Sequence, residues 1–174
     1  MTVVLRRAVE SDAAAVAKLA ELTFRQTFAV ENSANDMDQH CQTSFGPAIQ
    51  QAEITDPNTV FILAESAGEM IGFCQLRLSS PKDCVPGKAQ AEVYRIYVLS
   101  DWHGQGVAQS IMTEAMAAAA TNGSDAVWLG VWEHNHKAIR FYQKHDFDVV
   151  GEHEFHLGKD IQRDLVLATT LTAG

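Results

Sequence analysis

The sequence predicts a mixed α/β domain, from three observations. Apolar residues recur at helical spacing early in the chain, and β-branched runs follow through the middle. The strongest of those runs passes through two closely spaced glycines into an Ala-rich helix. At 174 residues the chain fits one domain and can bury about 70% of its unfolded surface.

Val3 to Arg6 is a short strand-forming run. Beyond it, Ser11 or Asp12 is placed to cap a helix carrying Val16, Leu19, Leu22 and Thr23 on one face. The polar stretch Glu31 to Asp38 reads as a connection, followed by a second helix around His40 to Phe45 and a third opening at Pro47 and running towards Asp56. Thr59 to Glu65 and Met70 to Ser79 alternate like strands, and Ala67-Gly68-Glu69 joins them as an antiparallel hairpin. Ser80 to Ala89, with Pro81, Pro86 and Gly87, is a loop.

Ala91 to Leu99, rich in Val, Ile and Tyr, runs into Asp101-Trp102-His103-Gly104-Gln105-Gly106, and Val107 to Thr121 is helical. Asn122-Gly123-Ser124 ends that helix. Ala126 to Val131 is the next strand, Lys137 to His145 a short helix, and Asp148 to Phe155 and Gln162 to Leu167 are two closing strands joined by Gly158-Lys159-Asp160. An antiparallel start therefore leads into a β-α-β unit and an antiparallel finish, with no internal repeat and no linker.

The composition narrows the function. A net charge of −9 leaves few Lys and Arg to cluster against phosphates, so nucleic acid is not an expected partner. Three cysteines without C-x-x-C spacing suggest reduced thiols. The segment Met1 to Arg7 has no signal-peptide pattern, and no apolar run is long enough to span a bilayer, so a cytoplasmic protein without membrane partners is expected. Among the seven histidines the densest group is His134, His136, His153 and His156. Its spacing matches no familiar zinc site, and no metal is expected.

The turn after the strongest strand carries the clearest chemistry. A strand that ends in small residues and becomes a helix leaves backbone N–H groups free at the positive end of the helix dipole, which suits phosphate. Gly104 and Gly106 permit close approach, and Ala108 keeps the first helical turn open. No Lys-Ser or Lys-Thr follows, which removes the nucleotide P-loop, and the third glycine of the dinucleotide fingerprint is absent. Taken alone, the motif suits a phosphate nest and a plain packing turn equally.

Its setting separates the two. Arg95-Ile96-Tyr97-Val98, His103-Gly104-Gln105-Gly106-Val107-Ala108 and Asn135-His136-Lys137-Ala138-Ile139-Arg140-Phe141-Tyr142, in that order and spacing, resemble the GNAT superfamily of N-acetyltransferases. Glu31-Asn32-Ser33 with Met37, Trp128 to Glu133, and Gly151, His153, Phe155, Gly158, Gln162, Asp164 and Leu165 further resemble its bacterial spermine/spermidine N-acetyltransferase branch. The resemblance spans nearly the whole chain. It implies a central mixed, mostly antiparallel sheet with two splayed parallel strands and flanking helices, and acetyl-CoA as cosubstrate. The acceptor is expected to be a small-molecule primary amine, a polyamine such as spermidine or spermine. In some members of the superfamily the last strands exchange between subunits, which leaves a homodimer open.

By the same resemblance, the backbone of Ile96, Tyr97 and Val98 pairs with the pantetheine amides, and residues His103 to Ala108, including Gln105 and Val107, cradle the pyrophosphate. Asn135 reaches the cofactor arm, or caps the following helix. Tyr142 matches the general acid that meets the departing sulfur. Two positions depart from the superfamily pattern. His103 replaces an Arg or Gln and would add positive charge below about pH 6.5, so coenzyme affinity is expected to fall as pH rises. Asp146 replaces a Gly at a helix end, in a left-handed conformation that Asp tolerates.

An amine of pKa near 10 is deprotonated in only about one molecule in a thousand at neutral pH, so a base is needed. Glu92 is the candidate. It precedes Val98 by a strand distance of roughly 20 Å, comparable to an extended pantetheine arm. Its other reading is an idle residue at a strand start. Glu133 is the reserve, and the Glu31 to Asp38 stretch would lend negative charge to the amine entrance. Trp128 and Trp132 read as core or pocket walls. An acetyltransferase for an amino acid, an antibiotic or a protein N-terminus is the second reading, and a non-catalytic coenzyme A sensor the third.

Overall fold

The computed structural model describes residues 2–172. Its strands are β1 (Val3–Arg7), β2 (Thr59–Ser66), β3 (Glu69–Arg77), β4 (Gln90–Val98), β5 (Ala126–Trp132), β6 (Asp148–Leu157) and β7 (Asp160–Thr170). The helices are α1 (Ala13–Phe28), α2 (Ala34–Ser44), α3 (Pro47–Thr55), α4 (Val107–Thr121) and α5 (His136–Gln143). The strands form one sheet in the order β1-β2-β3-β4-β5-β7-β6, antiparallel throughout except for the parallel pair β4–β5. This is the mixed, mostly antiparallel sheet expected.

Strand alternation sends side chains to two cores. Phe61, Leu63 and Phe73 pack under α1 and α2 with Phe24, Met37 and Leu157. Their neighbours Ile62, Ala64 and Cys74 pack on the opposite face with Ile111, Met112 and Ala115 of α4. The β2–β3 hairpin turns through Ala67 and Gly68, both at positive φ. Such a turn matches the twist of the strands it joins.

The second helix starts earlier than the hydrophobic spacing suggests. Ser33 accepts a hydrogen bond from the Asp36 amide at 3.1 Å and caps α2, so the polar stretch is half helix. Within α2 only Met37 and Cys41 are buried, one turn apart. The stripe is too narrow to register as helical periodicity.

Asp12 occupies the cap position of α1, but its carboxylate bonds the Val9 amide and Arg6 instead of the helix. β7 is longer than its apolar run because it is paired on both sides, by β5 and by β6. Asp146 has φ 62° and ends the α5 segment in the left-handed region, as its place in the sequence required.

Candidate active site

The site begins where the sheet opens. β4 and β5 pair only at Gln90–Ala126, Ala91–Val127 and Glu92–Trp128. From Val93 onward the strands diverge, and a cleft of about 850 Å³ fills the gap. It is lined by Thr23, Thr27 and Phe28 of α1 as well as by Ala108 and Thr113 of α4. Those helices lie on opposite faces, so the cleft passes through the sheet.

On the α4 side the walls are backbone. Antiparallel pairing alternates bonded and open positions, and the Leu99 amide bonds the Ile71 carbonyl of β3 at 2.9 Å. The alternation turns both backbone groups of Ile96 and the Val98 amide into the gap, while the Val98 carbonyl on the same side is taken by the His103 ring. Tyr97, between them, spends its backbone groups on β3, and its ring packs edge-on against Phe73 among the α1-side core. Burial pushes its phenol up to about 12. Of the three edge residues expected to meet the cofactor through their backbone, two present open groups.

At the end of β4 the chain passes through Ser100–Trp102 into the glycine turn. Gly104 and Gly106 have φ 78° and 81°, and a Cβ at either would meet nothing within 4 Å. Their freedom is needed for backbone shape, not for space. Among the described residues, the amides from Gly104 through Gln109 donate no hydrogen bond within the chain, while those of Trp102, His103 and Ser110 on either side do. This row of free N–H groups opens α4 and faces the cleft. His103, Gly104, Gly106, Val107 and Ala108 line it. Gln105 does not, because its side-chain amide turns back to the Asp101 carbonyl at 2.7 Å.

His103 is fixed by two contacts. Nε2 lies 2.8 Å from the Val98 carbonyl, which can only accept, so Nε2 carries the proton and Nδ1 accepts from Lys137 Nζ at 3.1 Å. The Lys137 ammonium therefore brings positive charge beside the free amides without help from the imidazole. Asn135 accepts from the Ala138 amide at 3.2 Å and caps α5, and it also lines the cleft. Tyr142, on α5, lies between Phe141 and Phe147 and is 9% exposed. Burial raises its phenol above the ordinary tyrosine value. None of the side-chain hydrogen bonds among the described residues uses its hydroxyl.

On the α1 side the walls are side chains. Glu92 stands at the last paired position before the splay, its carboxylate accepting from the Ser80 hydroxyl at 2.7 Å with Arg77 3.8 Å away. Tyr94 sits at a bulge in β4 and stacks under the Arg77 guanidinium, 3.3 Å from ring centre to carbon. Trp132 and Phe28 meet edge to face across the cleft. Trp128 donates to the Ser80 carbonyl at 2.7 Å and belongs to the core.

The acidic residues expected at the entrance are used elsewhere. Asp36 accepts from the Lys159 amide and holds the β6–β7 turn against α2, and Asp38 pairs with Arg25. Glu133 pairs with Arg163 at 3.0 Å. None of the three lines the cleft, so neither that stretch nor the reserve base supplies its charge. The carboxylates that do line it are Glu92 and Asp164. Asp164 was not singled out as a site residue. Its signal was an acidic residue in register with the buried Val166 and Ala168 of the same strand.

Among the described residues no three His, Cys, Asp or Glu side chains gather as a metal site requires, and no helix is long and apolar enough to cross a membrane.

Comparison with known proteins agrees with this geometry. The chain is 33% identical over 118 residues to an uncharacterised N-acetyltransferase of Mycobacterium bovis, covering 68% of this chain and 71% of that one. It is 29% identical over 149 residues to an uncharacterised N-acetyltransferase of Lactobacillus delbrueckii subsp. lactis, covering 86% of each. The fold superposes on the PaiA N-acetyltransferase of Thermoplasma acidophilum in complex with coenzyme A, with a TM-score of 0.80, 18% identity, and 98% and 100% of the two chains covered. It also superposes on the Salmonella typhimurium acetyltransferase YncA with its cofactor acetyl-CoA, at a TM-score of 0.67, 16% identity, and 100% and 96% covered. The acetyltransferase (GNAT) family pattern matches residues 17–147. With its splayed strands and open helix N-terminus, the chain belongs to the GNAT family and is an acetyl-CoA-dependent N-acetyltransferase.

Proposed function

We propose that the protein acetylates a primary amine, with a polyamine such as spermidine or spermine as the first candidate, by direct attack of the amine on the thioester. One observation carries this reading. A single cleft runs through the sheet, with free backbone amides on one face and carboxylates on the other.

Acetyl-CoA, when bound, supplies the activated acetyl thioester. The amides of Gly104 to Gln109, with the Lys137 ammonium beside them, suit a diphosphate. The open edge at Ile96 and the Val98 amide suits an amide-bearing arm that adds as a strand would, and Asn135, whose side-chain NH₂ donates to none of the described residues, lines the same cleft. The Tyr142 hydroxyl, without a partner among the described residues, donates a hydrogen bond at the departing sulfur. Moving the whole proton from a phenol to a thiolate is uphill by about 2 kcal/mol on ordinary values, and burial of Tyr142 adds to that. A hydrogen bond to the developing charge is therefore its role.

Glu92 takes the proton from the amine nitrogen. Ser80 occupies its Oε2, and its Oε1 makes no hydrogen bond among the described residues. The aromatic wall of Trp132 and Phe28 and the two carboxylates favour a cation carried on an aliphatic chain.

Initial rates at fixed acetyl-CoA across spermidine, spermine, free amino acids, an aminoglycoside and a peptide N-terminus test the reading. The polyamines are expected to give the highest kcat/KM. Preference for an amino acid or a peptide would replace the polyamine. Binding of acetyl-CoA with no amine acetylated would make the protein a coenzyme A sensor.

A further inference from the structure

The acceptor side holds a second carboxylate that no Lys or Arg among the described residues pairs with. Asp164 is 8% exposed and appears in none of the side-chain hydrogen bonds among the described residues. The basic group in salt-bridge range is His153, whose Nε2 lies 3.7 Å from Oδ2, beyond hydrogen-bond distance. Arg163, next in the chain, turns away to Glu133 and Glu152. The Asp164 carboxylate lines the cleft with no hydrogen bond from the described residues, so it is open to a donor that enters there.

Its place relative to Glu92 is set by strand register. Glu92 lies opposite Trp128, and Asp164 lies opposite Trp132. Trp128 and Trp132 are four residues apart on β5, so both carboxylates stand on the same face, on either side of that strand and about 13 Å apart along it. Between them is Gly130, where a Cβ would come within 2.9 Å of His153 Nε2 and 3.3 Å of Asp164 Oδ2. The missing side chain lets the two tips converge over bare backbone. The adjoining walls, Trp132, Phe28 and Phe155, are aromatic.

We propose that Asp164 is the station for a second positive charge on the acceptor. The acceptor is then an aliphatic di- or polycation, one amine reacting near Glu92 while another ammonium pairs with the Asp164 carboxylate and its methylenes lie along the aromatic wall. This rests on the acetyltransfer reading and specifies which residue selects the substrate. Asp164 is a specificity-determining residue and takes no part in bond making.

Calorimetry on the protein loaded with coenzyme A provides the test. Spermidine is compared with butylamine, which shares the aminobutyl end but lacks further charge. Spermidine should bind at least about tenfold more tightly to the unaltered protein, the scale of a charge-assisted hydrogen bond. Asp164→Asn should remove that preference while coenzyme A affinity stays unchanged, which also reports that the variant is folded. If the Asn variant fails to bind coenzyme A, Asp164→Ser is read the same way. Equal binding of the two amines, or a preference that survives the substitution, overturns the proposal. If butylamine and spermidine are acetylated equally well, this inference falls and acetyltransfer stands. If no amine is acetylated although spermidine binds through Asp164, it is the acetyltransfer reading that falls.

Discussion

The two faces of the cleft are made of different material. On the α4 side the lining is main-chain groups: the amides of Gly104 to Gln109 and the edge of Ile96 and Val98. On the α1 side the lining is side chains from four separate elements, with Glu92 on β4, Phe28 on α1, His153 on β6 and Asp164 on β7. A backbone site depends on local conformation and tolerates change in most side chains. A side-chain site can be rebuilt residue by residue, which suits a family that shares one coenzyme and differs in acceptors. Substitutions on one face should therefore affect one substrate and spare the other.

The largest expected effect falls where the faces meet. Tyr142→Phe should lower kcat by about 100-fold, within the usual range for losing one hydrogen-bond donor to developing charge, with little change in the dissociation constant for acetyl-CoA. An unchanged rate in an assay limited by chemistry would remove Tyr142 from the reaction.

Gly106→Val addresses the backbone face. Its Cβ would have room, so the damage is conformational, roughly 1–2 kcal/mol for a side chain held at φ 81°. If the variant relaxes that strain by reshaping the turn, coenzyme affinity should fall about 30-fold, the worth of one or two charge-assisted bonds. The KM for the amine should stay within about twofold of its original value, inside the spread of such estimates.

Gly130→Ala is the matching change on the side-chain face. The added methyl presses on His153 and Asp164, so the amine KM should rise about tenfold, with a stability cost of about 1–3 kcal/mol. Acetyl-CoA affinity measured by calorimetry should be untouched. A coenzyme effect as large as the amine effect would break the division between the faces.

The smallest effect concerns the wall behind the acceptor side. His40 stacks on Phe24 and packs against Phe45 and Phe155, and burial, reinforced by Arg95, lowers its pKa from 6.5 to about 4. Because the unfolded chain binds this proton more readily, the stability present above pH 6.5 should decline as pH falls towards about 4. The loss should be on the order of 1 kcal/mol, discounted for the ring's partial exposure to water. Urea midpoints measured above and between these two values, for the protein and for His40→Phe, check this. The variant should lose less stability than the parent over that interval.

The same division explains what was legible in the sequence. The β4-turn-α4 unit could be read because its chemistry is local: a strand, two glycines and a helix, contiguous from Ala91 to Thr121. Val107–Thr121 proved to be the helix from end to end. The acceptor face could not be read in this way. Asp164 and Glu92 are joined only through the register of β5 with its two neighbours, and register leaves no trace in a single sequence. Likewise, Glu31 to Asp38 read as an acidic entrance because its charges are visible and their partners are not. Arg25 and the Lys159 amide claim Asp38 and Asp36 from distant points in the chain.

The most direct test of the two-faced cleft is amide chemical-shift mapping of the protein titrated first with coenzyme A and then with spermidine. Coenzyme A should move the amides of Gly104 to Gln109 and of Ile96 and Val98 most, and spermidine those around Gly130, His153 and Asp164. Largest shifts from both ligands at the same set of amides, or coenzyme A leaving the Gly104 to Gln109 row unmoved, would contradict the account.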